Sequence, residues 1–296
     1  MKKLLISVDL DEFYHVRWIS GSANSLYSNR EQYFDEVYGS NQNGKELDKL
    51  TRIILDHFSD SDIQSTFFIP GEVAENYPDL VKLISDLGHE IACHSYRHID
   101  LSFHSKKSFT EELIKAKELL ENLVGNEVFG FRMPNLIIKD WVKDILLNCG
   151  FKYDSSICPS RTLTGKFGDY LGYPNHPYRT QHNNFELGES EFWEFPIPVF
   201  PLIKFPGGSS HFTRVIGKLW TYGTFWNIER QGKIPNYYFH PWEIGNIPSG
   251  VKIDTLYKKL YIRHTGKWML EFLYNLTQSY HCFGYKEFFR DDNVLP

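Results

Sequence analysis

Residues 3–15 read KLLISVDLDEFYH, and what this stretch is decides how the rest of the chain folds around it. Leu4 to Val8 is apolar apart from Ser7, which reads as a buried strand rather than an exposed edge. It then runs at once into Asp9, Asp11 and Glu12. An unpaired carboxylate at the end of a buried strand is costly, so acid in this position needs a reason. Residues two apart on a strand share a face. Asp9 and Asp11 would therefore point the same way, with Glu12 directed elsewhere or sitting in the turn.

The pattern recurs downstream. GKELDKLTRIILDHFSD places Leu47, Leu50, Ile54 and Phe58 on one helical face, and QSTFFIPG then reads as a second strand. YPDLVKLISDLGH is a helix stopped at Gly88, and EIACHS is a third strand. SFTEELIKAKELLENLVG opens with a Ser/Thr-then-Glu cap and closes at Gly125. The strand VFGFRMP, the helix IKDWVKDILLNCG and the strand KYDSSI follow. Strands alternating with helices at short spacing predict a parallel sheet with crossover helices, an α/β fold closed or nearly closed as a distorted barrel. Residues 21–45 and 159–215 break the rhythm, and the second reads as a long insertion over one end of the barrel. NYYFHPWEIG is a late strand and turn, and residues 254–290 read as a C-terminal helical segment. No second domain separates from residues 1–296.

Composition narrows the partners. A net charge of −5 with no Lys/Arg run argues against nucleic acid. Four cysteines lie far apart without a CxxC pair, which suits reduced thiols better than disulfides or a thiolate zinc site. No stretch approaches the roughly 18 apolar residues of a membrane span, and the N-terminus lacks the long apolar region and cleavage site of a signal peptide. The expectation is a chain with no integral membrane segment, in the cytoplasm or peripheral at the inner membrane face. Aromatic content of 16% is read first as core packing, and only second as flat faces for sugar rings.

In such barrels functional residues gather at the C-terminal ends of strands. There the chain offers Asp9 and Asp11, His94 and His98, Arg132 and Pro134, Asp154, and His240. Two histidines four apart can meet one ion if the segment turns, and a carboxylate would complete a two-His, one-carboxylate set open to water and substrate. That set suits Zn²⁺, Co²⁺, Ni²⁺ or Mn²⁺. Singly, each piece has a plainer explanation: surface histidines, a capping DxD, a packed Trp in HPWE. Together, in order and each after a strand, they favour a site.

The pattern resembles the polysaccharide deacetylase (NodB-homology, carbohydrate esterase) family. SVDLDEFYH is similar to its acidic first motif, EIACHSYRH to its H-S/T-x-x-H metal motif, FRMPN to its Arg-x-Pro motif and YYFHPWEIG to its last histidine motif. YDSSI, EFP, FPGGSSHF, HPWE and Arg263-His264 resemble the branch associated with bacterial exopolysaccharide gene clusters. The resemblance implies a distorted (β/α) barrel of about seven strands and metal-dependent hydrolysis of a sugar N-acetyl group. It implies Asp9 as base, Asp11, His94 and His98 as metal ligands, Arg132 orienting and tuning Asp9, and His240 as general acid. The separated aspartates depart from the usual adjacent pair, so Glu12 is the alternative ligand. Asp154 is expected to pair with His240, with Glu194 as its rival. Tyr14, Pro134, Trp242 and Arg263 are candidate substrate contacts. Zinc is the first expectation for the metal, with cobalt, nickel or manganese as alternatives. The implied substrate is a nucleotide-linked, lipid-linked or oligosaccharide amino sugar. A deformylase or cyclic-amide hydrolase, or a non-catalytic carbohydrate-binding relic, are the competing readings.

Overall fold

The computed structural model describes residues 2–20, 26–27, 29–39, 46–160 and 170–290. At its centre lies β1 (Lys2–Asp9), exposed at its two lysines and buried from Leu4 onward. Its side chains divide by period two, as a pleated strand requires. Leu4, Ile6, Val8 and Leu10 enter the large core under the helices, while Leu5 joins a second cluster with Phe68, Ala92, Tyr153, Phe195 and Tyr285. Ser7 and Asp9 continue the Leu5 face. This inner face carries the polar centre of the molecule.

β2 (Thr66–Ile69), β3 (Glu90–Cys93), β4 (Gly130–Phe131) and β5 (Tyr153–Asp154) follow β1 outward in parallel, with Ser7 opposite Thr66, Ile69 opposite Cys93 and Phe131 opposite Asp154. Beyond them lie β6 (Tyr178–Arg179) and β7 (Trp193–Glu194), and on the far side of β1 comes β8 (Asn236–Phe239), giving the order β6-β7-β5-β4-β3-β2-β1-β8. β9 (Tyr280–Phe283) pairs with the first half of β1, Lys2 to Leu5. Seven strands of this path, β7 to β8, are parallel, and only β6 runs antiparallel. The sheet curls until β8 reaches the segment after β7 through a side chain. Asn236 Nδ2 on β8 donates to the carbonyls of Phe195 and Pro196, just past β7, at 3.2 Å each.

The crossover helices cover the outer face. α1 (Arg30–Tyr38) belongs to the stretch between β1 and β2, with α2 (Glu46–Asp60) after it. α2 buries Leu47, Leu50, Ile54 and Phe58, the face read from the sequence. After α3 (Gly71–Asn76), α4 (Pro78–Asp86) starts on a proline, which needs no N–H there, and buries Leu80, Val81 and Ile84. The cap of α5 (Lys106–Val124) lies three residues before the expected one: Ser105 Oγ accepts from the Ser108 N–H and Ser108 Oγ accepts from the Ser105 N–H. It ends at Gly125, whose φ of +70° suits a residue without a Cβ. α6 (Trp141–Asn148) follows β4.

Two expectations change. The 159–215 stretch is not wholly an excursion over one end, because it supplies β6 and β7, which extend the sheet beside β5; part of it, residues 161–169, lies outside the described residues. Its last turns form α7 (Ser210–Ile216), which leads into α8 (Lys218–Glu229). The 254–290 segment holds α9 (Leu256–Tyr261), α10 (Lys267–Ser279) and α11 (Tyr285–Arg290), but between them β9 completes the β1 edge. All three strands are too short to carry a period of their own. Among the described residues, no helix is long and apolar enough to cross a membrane, and all four cysteines are free.

Candidate active site

β1 ends at Asp9, so Asp11 is not on the strand as the spacing suggested. The Asp11 N–H donates to the Asp9 carbonyl at 2.8 Å, a tight turn that returns its carboxylate to the same side. Opposite stand His94 and His98, in the loop after β3. The ligand atoms of Asp11, His94 and His98 all lie within 4.8 Å of one another, and all three residues are buried. His94 Nδ1 contacts the Arg132 carbonyl at 2.7 Å, which turns Nε2 inward. His98 Nε2 lies 3.1 Å from Asp11 Oδ2.

This set fits a divalent ion. Asp11 Oδ1 is buried without a hydrogen-bond partner, a state that a cation would relieve. Burial holds the His94 pKa down at about 4, against the pull of Asp9 and Asp11, so its ring stays neutral as a ligand must. For Asp11, burial works the other way, but His98, then His94 and His15, keep its carboxyl well below the usual range. Glu12 is engaged elsewhere. Arg30 grips both its oxygens at 2.7 and 2.6 Å, and Tyr77 donates to it at 2.5 Å.

Asp9 is held from inside the barrel. Its Oδ1 accepts from Arg132 Nη1, while Oδ2 stands 3.9 Å from both His94 Nε2 and His240 Nε2. Arg132 is completely buried and fully used. It donates to the Ser155 carbonyl at 3.0 Å, to Ser7 and Ser155 hydroxyls at 3.1 and 2.7 Å, and to the Tyr285 hydroxyl at 2.8 Å. Its guanidinium also lies 4.0 Å over the Phe68 ring. Such a buried cation is tolerated because every guanidinium nitrogen finds a partner.

His240 follows β8 and faces the same space, with Nε2 3.8 Å from Asp11 Oδ2. Its partner is neither Asp154 nor Glu194. Nδ1 contacts Glu243 Oε2 at 3.2 Å, and the His240 N–H donates to the same oxygen at 2.9 Å. Glu243 sits one short turn on, three residues after His240, as the last residue of HPWE. It is gripped in turn by Arg214 of α7 through Nε at 3.0 Å and Nη2 at 2.8 Å, and it accepts the Ser210 hydroxyl. Burial opposes charge on His240, but Glu243, then Asp11 and Asp9, raise its pKa above the ordinary value.

Asp154 and Glu194 form a pair of their own beneath this space. Asp154 accepts the Ser156 hydroxyl at 2.6 Å and the Ser156 N–H at 3.1 Å, and Glu194 accepts the Ile157 N–H at 3.0 Å. Burial and then the Asp154 charge push Glu194 well above the carboxylate range, while burial raises Asp154 to about 6. Ser156 also accepts the Met133 N–H at 2.8 Å, so Asp154 supports the loop after Arg132 rather than His240. Pro134 has no N–H and Leu136 donates to the Met133 carbonyl at 3.1 Å. Asn135 is thus the first N–H beyond Arg132 that these bonds leave over.

A cleft of about 270 Å³ opens above Asp9, Asp11, His94, His98 and His240. Trp242 is in its wall, stacked on His240 with centroids 5.6 Å apart. The other candidate contacts lie elsewhere. Tyr14 packs on Tyr33 in a neighbouring aromatic cluster, Pro134 is buried between wall residues Met133 and Asn135, and Arg263 donates outside the cleft to the Val215 carbonyl at 3.3 Å. The reading from sequence did not single out Arg17, Asn135, Tyr257 and Tyr261 in the wall, nor Arg214 and Glu243 behind it. HPWE held a signal for Glu243, since an acid three residues after a turn-opening residue can reach back to it.

Residues 32–153 match the family model for polysaccharide deacetylase, a span that includes His94, His98 and Arg132. This segment belongs to the polysaccharide deacetylase family. Asp9, Asp11 and His240 lie outside the deacetylase span and join its residues through the fold. A peptidoglycan deacetylase of Helicobacter pylori is 32% identical over 104 residues, 35% of this chain and 36% of that protein. A peptidoglycan-N-acetylglucosamine deacetylase of Bacillus cereus is 36% identical over 90 residues, 30% of this chain and 32% of that protein. The chain thus spans about a third of the length of these curated relatives. A Mycobacterium smegmatis structure described as a candidate polysaccharide deacetylase shares the fold over 99% of this chain and 92% of its own, with a TM-score of 0.63 at 20% identity. An allantoinase structure shares it over 95% and 86%, with a TM-score of 0.57 at 18% identity.

Proposed function

We propose that this chain is a metal-dependent hydrolase that removes the N-acetyl group of an amino sugar. The observation that carries this reading is the convergence, on one cleft floor, of an Asp11–His94–His98 cluster with a clamped carboxylate and a carboxylate-backed histidine beside it. Asp11, His94 and His98 would hold the ion. When bound, it supplies a Lewis acid for an amide carbonyl and a water acidic enough to ionise near neutrality. Zinc suits the two imidazoles and one carboxylate, and cobalt, nickel or manganese would also bind.

The remaining work falls to the chain's own groups. Asp9 has one oxygen fixed by Arg132 and the other directed at the cleft, where it takes the proton of the attacking water. His240, with Nδ1 against Glu243, presents Nε2 to the same floor, 3.9 Å from Asp9 Oδ2, and gives a proton to the departing amine. In this reading a backbone N–H after Arg132, that of Asn135, meets the oxygen that gains charge as the carbonyl is attacked. Trp242 offers a flat apolar face to a pyranose ring.

The substrate class proposed is an N-acetylated sugar on a nucleotide or lipid carrier, or a short oligosaccharide, used in building a bacterial surface polysaccharide. The test is acetate release from a panel of such sugars by protein loaded in turn with Zn²⁺, Co²⁺, Ni²⁺ and Mn²⁺, against the metal-free chain. Release that ignores added metal, or no release from any member, would overturn the reading.

A further inference from the structure

One permanently charged cation stands in the cleft wall. Among the described residues lining it, Arg17 is the only arginine or lysine. Its position is fixed. Nε donates to both oxygens of Asp100 at 3.2 and 3.1 Å, and Nη2 donates to Oδ2 at 2.8 Å. The Asp100 side chain is only 5% exposed while that of Arg17 is 37% exposed, so the pair runs from the interior out to the cleft. Asp100 also accepts from Asn135 Nδ2 at 3.0 Å. One buried carboxylate therefore sets two wall residues that are far apart in sequence. It lies two residues past His98, so both are registered against the proposed metal site.

The backbone at Asn135 shows how firmly this wall is held. Asn135 and Leu136 have φ of +57° and +56° in succession. Asparagine tolerates that region, but leucine does so only when its surroundings impose it. The Asn135–Asp100 bond is one of the constraints that hold it there.

The edge of Arg17 spent on Asp100 is Nε and one side of Nη2. Nη1 remains, and no other bond is made to it among the described residues. A guanidinium has donors and no acceptor. What it can meet is an oxygen, and its planar fork matches the paired oxygens of a carboxylate or phosphate. Tyr257 lines the same wall close enough for Arg17 to act on its phenol electrostatically. A sugar hydroxyl could be served by any neutral donor. A cation fixed by a buried acid and facing outward is suited to an anion.

We infer that Arg17, oriented by Asp100, is a specificity residue that selects amino sugars carrying an anionic oxygen group next to the ring that enters the cleft. This rests on the hydrolase reading above and narrows its substrate class. An anionic carrier linkage would supply a phosphate, and an acidic sugar a carboxylate.

The experiment compares three ligand forms of one amino sugar: neutral, carboxylate-bearing and phosphate-bearing. Turnover of the N-acetyl forms is measured with the metal-loaded protein, and binding of the corresponding free amines by calorimetry. In the wild-type chain, at least one anionic form should exceed the neutral form in kcat/KM and in affinity, and added salt should shrink the margin. Charge-assisted contacts imply an anionic-to-neutral ratio that falls about 10- to 100-fold in Arg17→Gln, mostly through KM. Arg17→Lys keeps the charge beside Asp100 but loses the fork, and the ratio should fall by an intermediate amount. Should Arg17→Gln not fold, the wild-type ratio and Arg17→Lys still decide. A wild type without anionic preference, or a variant that loses neutral and anionic forms in equal proportion, overturns the inference. Whichever of the carboxylate and phosphate forms shows the larger margin identifies the source. Calorimetry separates this result from failure of the hydrolase reading, because anion-selective binding of the amines does not depend on turnover.

Discussion

Replacing Glu243 with glutamine tests the least expected part of the site. Glu243 is fully buried and accepts from Arg214 twice, from the Ser210 hydroxyl, and from His240 through backbone and ring. Glutamine keeps the shape and one acceptor oxygen but leaves the equally buried Arg214 without its counter-charge. Breaking a buried pair by removing one partner costs about 3–5 kcal/mol. At the lower figure, a chain of this size should lose about 6–12 °C in Tm. The cost depends on pH. Glu243 has its carboxyl held well below the ordinary 4.5, chiefly by Arg214 and His240 against the opposing effect of burial, so its contribution is complete above that value and fades as pH falls through the lowered one. The Tm gap between wild type and variant should therefore be widest at neutral pH and narrow in acid. Activity should respond separately. With the adjacent charge gone, the His240 pKa drops, and the alkaline limb of the rate profile moves to lower pH. Acid catalysis is worth about 10²–10⁴-fold. With glutamine still able to hold Nδ1, the loss in kcat should be about 10- to 100-fold. The double variant Arg214→Met with Glu243→Leu removes the orphaned charge and should recover much of the stability, but none of the rate. Thermal melts and pH–rate profiles on the three proteins decide. Recovery of rate together with stability would show that Glu243 is only structural and that His240 needs no carboxylate behind it.

Three further outcomes follow from the same geometry. His94→Ala should cut bound zinc from about one ion per chain to near zero by elemental analysis while circular dichroism stays native, and full occupancy would remove His94 from the ligand set. Asp9→Asn should retain the metal and lose about 10²–10⁴-fold in turnover, so near-normal rates would place the base elsewhere. His240→Asn should depress hydrolysis of the amide far more than that of an activated ester, whose leaving group needs little protonation; equal losses on both would leave His240 a binding residue.

The parts of this molecule legible in its sequence are those where chemistry and local pattern coincide. Asp9, His94, Arg132 and His240 each end an apolar run, and a parallel sheet brings such ends together, so their convergence is legible in the sequence. Partners set by packing could not. Arg17 and Asp100 are 83 residues apart and Arg214 and Glu243 are 29 apart, with nothing in either neighbourhood to suggest the match. Asp154 and Glu194 misled because order along the chain stood in for distance. Their strands do lie side by side, but the two acids face each other below the floor instead of reaching His240. β7 and β9 escaped because two or four residues hold too little periodicity to be told from loop or helix.

The three-way pairing of β1 fixes when the site can exist. Its first residues need β9, and its last need β2 and β8, while the Arg132 that clamps Asp9 is itself satisfied by Tyr285. Ser7 and Tyr285 touch across 278 positions of chain. A ribosome adding about 5–20 residues per second leaves the opening strand waiting roughly ten seconds to a minute for its neighbours. Throughout that interval an apolar strand with unsatisfied edges is exposed, the form of nascent chain most prone to mispair and the natural client of a holding chaperone. Fragments that stop short of β9 should therefore lack the site altogether, and two halves divided in the loop after β5 would have to find each other before either could assemble the cleft floor.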